Sequence, residues 1–182
     1  TRIGLMSAPL RDRFGVVHRL SFYDPLDLEK IIENAAKKLK VLIDAESIKQ
    51  IAKRGRGTPR IALKLLKRAR DFAQVKGEGK ITEELVHEAL KMLEVDEMGL
   101  DSSDRRFLKA IIDKHGGGPV GLETIASTIS EDVGTLEEVI EPYLLQIGFV
   151  KRTSRGRVAT VAAYEHLGKK HPEESKKQQK LI

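Results

Sequence analysis

The chain has 182 residues, 40% of them hydrophobic and 33% charged, with a net charge of +6; that length suits one or two soluble domains with much solvated helix surface. Cys and Trp are absent and aromatics make up 4%, which excludes disulfides and thiolate metal centres and makes any core aliphatic. No apolar run is long enough to span a bilayer, no secretory leader is read at the start, and the five histidines form no i,i+4 pair that would suggest a metal site.

Residues 1–20 lack helical periodicity. Pro9-Leu10-Arg11-Asp12-Arg13-Phe14-Gly15 reads as a compact charged turn, and residues 16–22 have strand-like content that Tyr23-Asp24-Pro25 breaks. Asp24 or Asp27 then caps a helix to about Lys40, with Leu28, Ile31, Ile32, Ala35 and Leu39 on its inner face. Asp44 opens a second helix carrying Ile48, Ile51 and Ala52, stopped by the glycines at 55 and 57. A third starts at Thr58-Pro59 and runs to about Lys76, with Ile61, Leu65, Leu66, Ala69, Phe72 and Ala73 sharing one face. Thr82 caps a fourth, with Leu85, Val86, Ala89 and Leu90 inward. Four helices over about 70 residues predict a small all-α bundle.

The acidic, aperiodic stretch Glu94-Val95-Asp96-Glu97-Met98-Gly99 reads as a linker. From Asp101 the periodicity restarts: a helix to Lys114, a turn at Gly116-Gly117-Gly118-Pro119-Val120, a short helix over residues 122–129, and another over about 135–147. The last would place Leu136, Val139, Ile140, Tyr143 and Leu144 inward. Strand-like residues 149–152 and 157–161 flank Thr153-Ser154-Arg155-Gly156, a hairpin with glycine in its turn. Three helices and a β-hairpin are the layout of a winged helix-turn-helix domain. Residues 169–182, with five lysines and two glutamates, read as a basic disordered tail. No internal repeat is found. The opening on Thr1-Arg2-Ile3-Gly4, without Met, suggests a fragment or processed chain.

Two places can carry binding chemistry. Thr58 sits at an N-cap and Pro59 at the first helical position, so Arg60 is fixed in the first turn of a long helix. There it either meets an anion, favoured by the exposed N–H groups and the helix dipole, or pairs with a carboxylate or water. The hairpin holds Lys151, Arg152, Arg155 and Arg157 with no acid among them, whereas residues 101–148 hold nine acids against four lysines and arginines, a net of −5. A basic prong on an acidic body suits phosphate contacts independent of base sequence; the bland alternative is a solvated turn. Glu137, Glu138 and Glu141 on the last long helix argue that the wing, and not this helix, touches DNA. Arg11 and Arg13, flanking Asp12, form either a structural salt-bridge turn or a finger toward an anion on another molecule. The triple glycine lacks the Gly-Lys-[Ser/Thr] of a P-loop, and no complete active site is found.

Four motifs nevertheless occur in a familiar order: Ser7-Ala8-Pro9-Leu10-Arg11-Asp12-Arg13-Phe14-Gly15, Arg56-Gly57-Thr58-Pro59-Arg60-Ile61-Ala62, Gly117-Gly118-Pro119-Val120-Gly121-Leu122 and Arg152-Thr153-Ser154-Arg155-Gly156-Arg157. To about Gly168 the chain resembles the RuvB family, bacterial AAA+ motors that drive Holliday-junction branch migration in recombination and repair. The resemblance implies a mainly α fold. Residues 1–20 would end the large ATPase domain, 21–96 form its helical lid, and 97–168 form a winged-helix DNA-binding domain. It implies ATP as ligand, with Mg²⁺ held by an upstream domain that carries the P-loop, and no turnover by this chain alone. Arg13 matches the arginine finger, Tyr23 a residue near the nucleotide, Arg60 the lid arginine that senses the γ-phosphate, and Arg152 and Arg157 the DNA-contacting wing residues, with Arg155 between them. Implied partners are Holliday-junction DNA, RuvA, RuvC and five further copies in a cytoplasmic homo-hexamer, with no membrane. The rival expectation is a non-enzymatic DNA-binding regulator or adaptor.

Overall fold

The structure, a computed structural model, describes residues 13–14, 21–76 and 79–172. Most of the expected piece of ATPase domain, Arg11 included, lies outside the described residues, as does the tail beyond residue 172. So does most of the expected strand over 16–22; Ser21 and Phe22, its described end, are not in a strand.

Four helices build the first unit: α1 (Pro25–Leu39), α2 (Ala45–Lys53), α3 (Pro59–Lys76) and α4 (Glu83–Met92). Their starts follow the capping chemistry of the sequence. The Asp24 carboxylate accepts from Asp27 N at 2.9 Å with Pro25 opening the helix, Asp44 accepts from Ser47 N at 2.7 Å, and Thr82 accepts from Leu85 N at 3.4 Å. Thr58 differs from expectation: its hydroxyl donates to the Arg56 carbonyl at 3.2 Å, which ties the cap to the preceding loop. The buried face of α3 is Ala62, Leu65, Leu66, Ala69 and Ala73, packed on Leu28, Ile32 and Ile51. The small alanines let α1, α2 and α4 approach α3 closely. Two short strands, β1 (Leu42–Ile43) and β2 (Lys80–Ile81), pair in parallel across the bundle. At two residues each they carry no periodicity for a sequence reading to find.

The second unit begins with α5 (Ser102–Lys109), opened by a capping box in which Asp101 accepts from Asp104 N and Asp104 accepts from Asp101 N. It continues as a π-helical turn over Ala110–Lys114. Then come α6 (Leu122–Ile129) and α7, which consists of Val133–Thr135, a π-helical turn Leu136–Ile140, and Glu141–Gln146. Strands β3 (Val150–Thr153) and β4 (Gly156–Ala159) form the antiparallel wing. Helix α8 (Val161–His166) closes the domain and buries Ala163 and Tyr164; residues 160–161, expected to extend the hairpin, instead turn into this helix, with Thr160 at its cap. Phe107, Leu108, Ile111, Ile125, Leu136 and Leu144 form the fully buried centre.

The π-turn corrects the expected faces of α7. One extra residue per turn advances the phase of everything that follows. Val139, expected inside, is 64% exposed, and Glu141, expected on the polar face, is fully buried. Pro142 explains the position: a proline inside a helix cannot donate to the carbonyl four residues back, and the turn before it widens.

The expected linker is a packed joint. Arg54, 4% exposed, donates to the Asp96 carbonyl at 3.1 Å and to the Gln50 carbonyl at 3.1 Å. The Asp96 carboxylate accepts from Met98 N and Leu100 N, each at 2.9 Å, and meets His166 Nε2 at 2.9 Å. Tyr143 donates to the Met98 carbonyl at 2.6 Å. Arg56 crosses from the first unit to the second, donating to the Gly99 carbonyl at 2.7 Å and to the Asp104 carboxylate. Burial pushes the Asp104 carboxyl up to about 6 against the pull of Arg56, which leaves it ionised at neutral pH. Of the acids in the expected linker, Asp96 is drawn into this joint, while Glu94 and Glu97 remain exposed.

Phe107 sits at the centre of the second core with no exposure. Phe107→Ala is expected to lower stability by about 3–5 kcal/mol, read from the urea unfolding midpoint, whereas Val75→Ala on the exposed face of α3 is expected to change it by less than about 0.5 kcal/mol.

Candidate functional site

The start of α3 forms the first site. Its first turn contains no acidic residue, so the N-terminal end of an 18-residue helix keeps its positive potential. Arg60 is exposed there and, among the described residues, is engaged in no ion pair. It lines a trough with Leu63, Lys64, Lys67, Arg68, Arg70 and Asp71, a mostly cationic face on which Asp71 pairs with Arg68 and Arg70. Tyr23 is held beside this end, its N–H donating to the Gly57 carbonyl at 2.9 Å while its ring is about half exposed. Gly57 makes that approach possible: its φ is +64°, and a Cβ there would stand 2.7 Å from the Phe22 Cβ. The fold thus brings Tyr23 and the Arg60 turn, 37 residues apart in sequence, to one place. Arg13 lies in an exposed turn, and among the described residues no hydrogen bond or ion pair joins it to Tyr23 or Arg60.

The wing forms the second site. Arg152 and Arg157 face each other in register across β3 and β4, so both side chains leave the same face of the ribbon. Both guanidinium groups converge on Glu141. Arg152 donates from Nε and Nη2 at 3.1 and 2.5 Å, and Arg157 from Nε and Nη2 at 2.7 and 3.3 Å. Burial raises the pKa of the Glu141 carboxyl, but the four hydrogen bonds outweigh it and hold the group below its ordinary value. The same bonds raise Arg152 above its own. The Arg152 side chain is 52% exposed against 21% for Arg157. Lys151 and Arg155 are exposed at the tip without such partners among the described residues.

Glu141 is the site residue that sequence reasoning missed. A carboxylate next to Pro142, among the apolar residues Ile140, Tyr143 and Leu144, was the available signal. The triple glycine also proves to serve the wing. Val120 and Arg157 exchange both backbone hydrogen bonds at 3.0 and 2.8 Å, and Ala159 N donates to the Gly117 carbonyl at 2.9 Å. A Cβ on Gly118 would meet the Arg157 carbonyl at 2.3 Å. Among the described residues no group of three His, Cys, Asp or Glu side chains is placed to hold a metal ion.

Comparison with known proteins places these two units. Residues 23–96 match the RuvB AAA lid domain and residues 97–168 match the RuvB C-terminal winged helix domain. The chain belongs to the RuvB family. It is 53% identical over 172 residues to the Holliday junction branch migration complex subunit RuvB of Anaeromyxobacter sp. (strain K), covering 94% of this chain and 50% of that protein. Against the subunit of the same name from Ligilactobacillus salivarius it is 56% identical over 174 residues, covering 96% and 52%. The solved Thermotoga maritima RuvB Holliday junction branch migration motor superposes with a TM-score of 0.88 at 47% identity, covering 93% of this chain and 57% of that one. A mutant of the same Thermotoga protein gives 0.90. The chain spans about half the length of the curated relatives it matches. The mainly α architecture, an AAA lid followed by a winged helix, is therefore that of the RuvB family. Among the described residues no helix is long and apolar enough to cross a membrane.

A carboxyl whose folded pKa is depressed adds stability that is fully present above its unfolded value and lost as pH falls through the folded one. For Glu141 that loss is expected below pH 4.5. Glu141→Gln should flatten this part of the acid limb when thermal midpoints at pH 7 and pH 3 are compared with those of the parent chain.

Proposed function

We propose that the chain is the lid and DNA-gripping part of an ATP-driven branch-migration motor that acts on Holliday junctions in recombination and repair. One observation carries the reading: an arginine in the first turn of α3 without an ion-pair partner among the described residues shares a chain with a basic wing seated on a buried carboxylate. The first suits a terminal phosphate, the second a DNA backbone.

In this reading Arg60 reaches the γ-phosphate of ATP bound by an upstream ATPase domain, and Tyr23 lines the nucleotide at the domain junction. Arg13 serves as an arginine finger toward ATP on the neighbouring subunit of a homo-hexamer. The residues around α3 fit a polyphosphate: a mostly cationic trough, and a helix N-terminus without acids to which Tyr23 is tied through its backbone. Mg²⁺ belongs to the upstream domain. ATP supplies the free energy; Arg60 senses its terminal phosphate and turns the lid with it. Arg152, Arg155 and Arg157 hold phosphates of the duplex, which gives a grip independent of sequence, as a motor crossing any sequence needs. RuvA and RuvC are the partners of such a complex, and the cytoplasm its compartment. The names of the relatives support this reading, since both curated relatives are branch migration complex subunits.

With the upstream domain restored, Arg60→Ala is expected to abolish ATP turnover while loading onto junction DNA persists. Unchanged turnover would leave the rival, a DNA-binding adaptor, as the better account. Arg152→Ala and Arg157→Ala should each weaken DNA binding evenly across sequences and reduce the salt slope by about one. A preference for one sequence, measured by titration at several salt concentrations, would contradict a backbone grip.

A further inference from the structure

We propose that Arg56 is a positioning residue that locks the lid to the winged-helix domain, so that rotation of the Arg60 turn is delivered to the DNA-gripping wing. The inference rests on the motor reading and adds the part that transmits.

Arg56 belongs to the lid by sequence and to the winged helix by contact. Its side chain is 11% exposed. Nε donates to the Gly99 carbonyl at 2.7 Å, the terminal nitrogens meet the 1% exposed Asp104 carboxylate, and Cζ lies 4.8 Å over the Tyr143 ring. A planar, charged fork that stacks on a ring is the arginine-specific combination, which lysine cannot reproduce. Two attachments fix the lid end. The Arg56 backbone takes the left-handed conformation, φ +52°, unusual for a side chain-bearing residue, and its carbonyl accepts from the Thr58 hydroxyl at 3.2 Å. Arg60 follows four residues later in the first turn of α3, joined to Arg56 through the left-handed Gly57 and the Thr58 cap. At the other end, Tyr143 and Glu141 stand two residues apart on α7, and Glu141 carries Arg152 and Arg157. Arg54 and Asp96 brace the same joint from its other side. A joint with buried charge, stacking and hydrogen bonds to three elements has one geometry, not a range, so the two domains rotate as one body.

The test uses Arg56→Met/Asp104→Asn, which removes both charges together and leaves neither buried alone. In the hexamer with its upstream domain restored, the double variant is expected to keep DNA affinity and ATP turnover. Base pairs migrated per ATP should fall about fivefold or more, and Arg56→Lys should show the same uncoupling. An unchanged yield per ATP in a migrating hexamer overturns the proposal. If the parent hexamer itself migrates no junction, the motor reading fails instead, and the joint is still tested in the 182-residue chain. That chain has no cysteine, so spin labels at Lys38→Cys on the lid and Glu123→Cys on α6 report one distance. A single narrow distribution that broadens in the double variant is the expected result. A distribution already broad in the parent, or equally narrow in both, overturns the rigid joint.

Discussion

The buried Arg56–Asp104 pair sets the arrangement of everything else. Removing one partner of such a pair is costly, about 3–5 kcal/mol, because the other charge is left in a medium that cannot solvate it. Separating the two units would leave Asp104 in its buried capping-box position without its cation. Gly99 is part of the same constraint: its φ is +76°, and a Cβ there would stand 2.9 Å from the Arg54 carbonyl. A backbone that runs this close to a neighbour is one that tertiary packing, not chain flexibility, holds in place.

Much of the architecture could be read from the sequence because the signals were local. The caps at Asp44 and Thr82 formed as their spacing implied, Asp24 rather than Asp27 capped the first helix, and the glycine hairpin formed. The misreadings share a different cause. Val139 and Glu141 were misplaced because a π-turn broke the 3.6-residue period on which face assignment depends. The linker was misread because its partners Arg54, Arg56 and His166 lie up to 70 residues away, beyond any local pattern. α8 was missed because six residues after a strand carry too little periodicity to stand out.

The sites divide in the same way. The position of Arg60 in a helical first turn was legible from Thr58-Pro59, and the basic wing from its composition. Neither reveals electrostatic state. Among the described residues Arg60 is engaged in no ion pair, whereas Arg152 and Arg157 share one buried counter-charge and present a smaller net field than their number implies. In the proposed motor, this partial neutralisation would suit repeated closing and release better than two bare guanidinium groups, because each added phosphate contact steepens the salt dependence of binding.

The backbone exchange between Val120 and Arg157 has a mechanical meaning. It adds a third backbone segment to the ribbon beside the turn, and the Ala159–Gly117 bond adds another at the base, so the prong is clamped along its length rather than hinged where it leaves the domain. Gly118 and Gly156, with no side chain to intervene, let the clamp close to backbone contact. A load applied at Arg155 then reaches the body of the domain as torque instead of being dissipated by bending, and the stiffness of the prong becomes a property of two glycines packed against backbone.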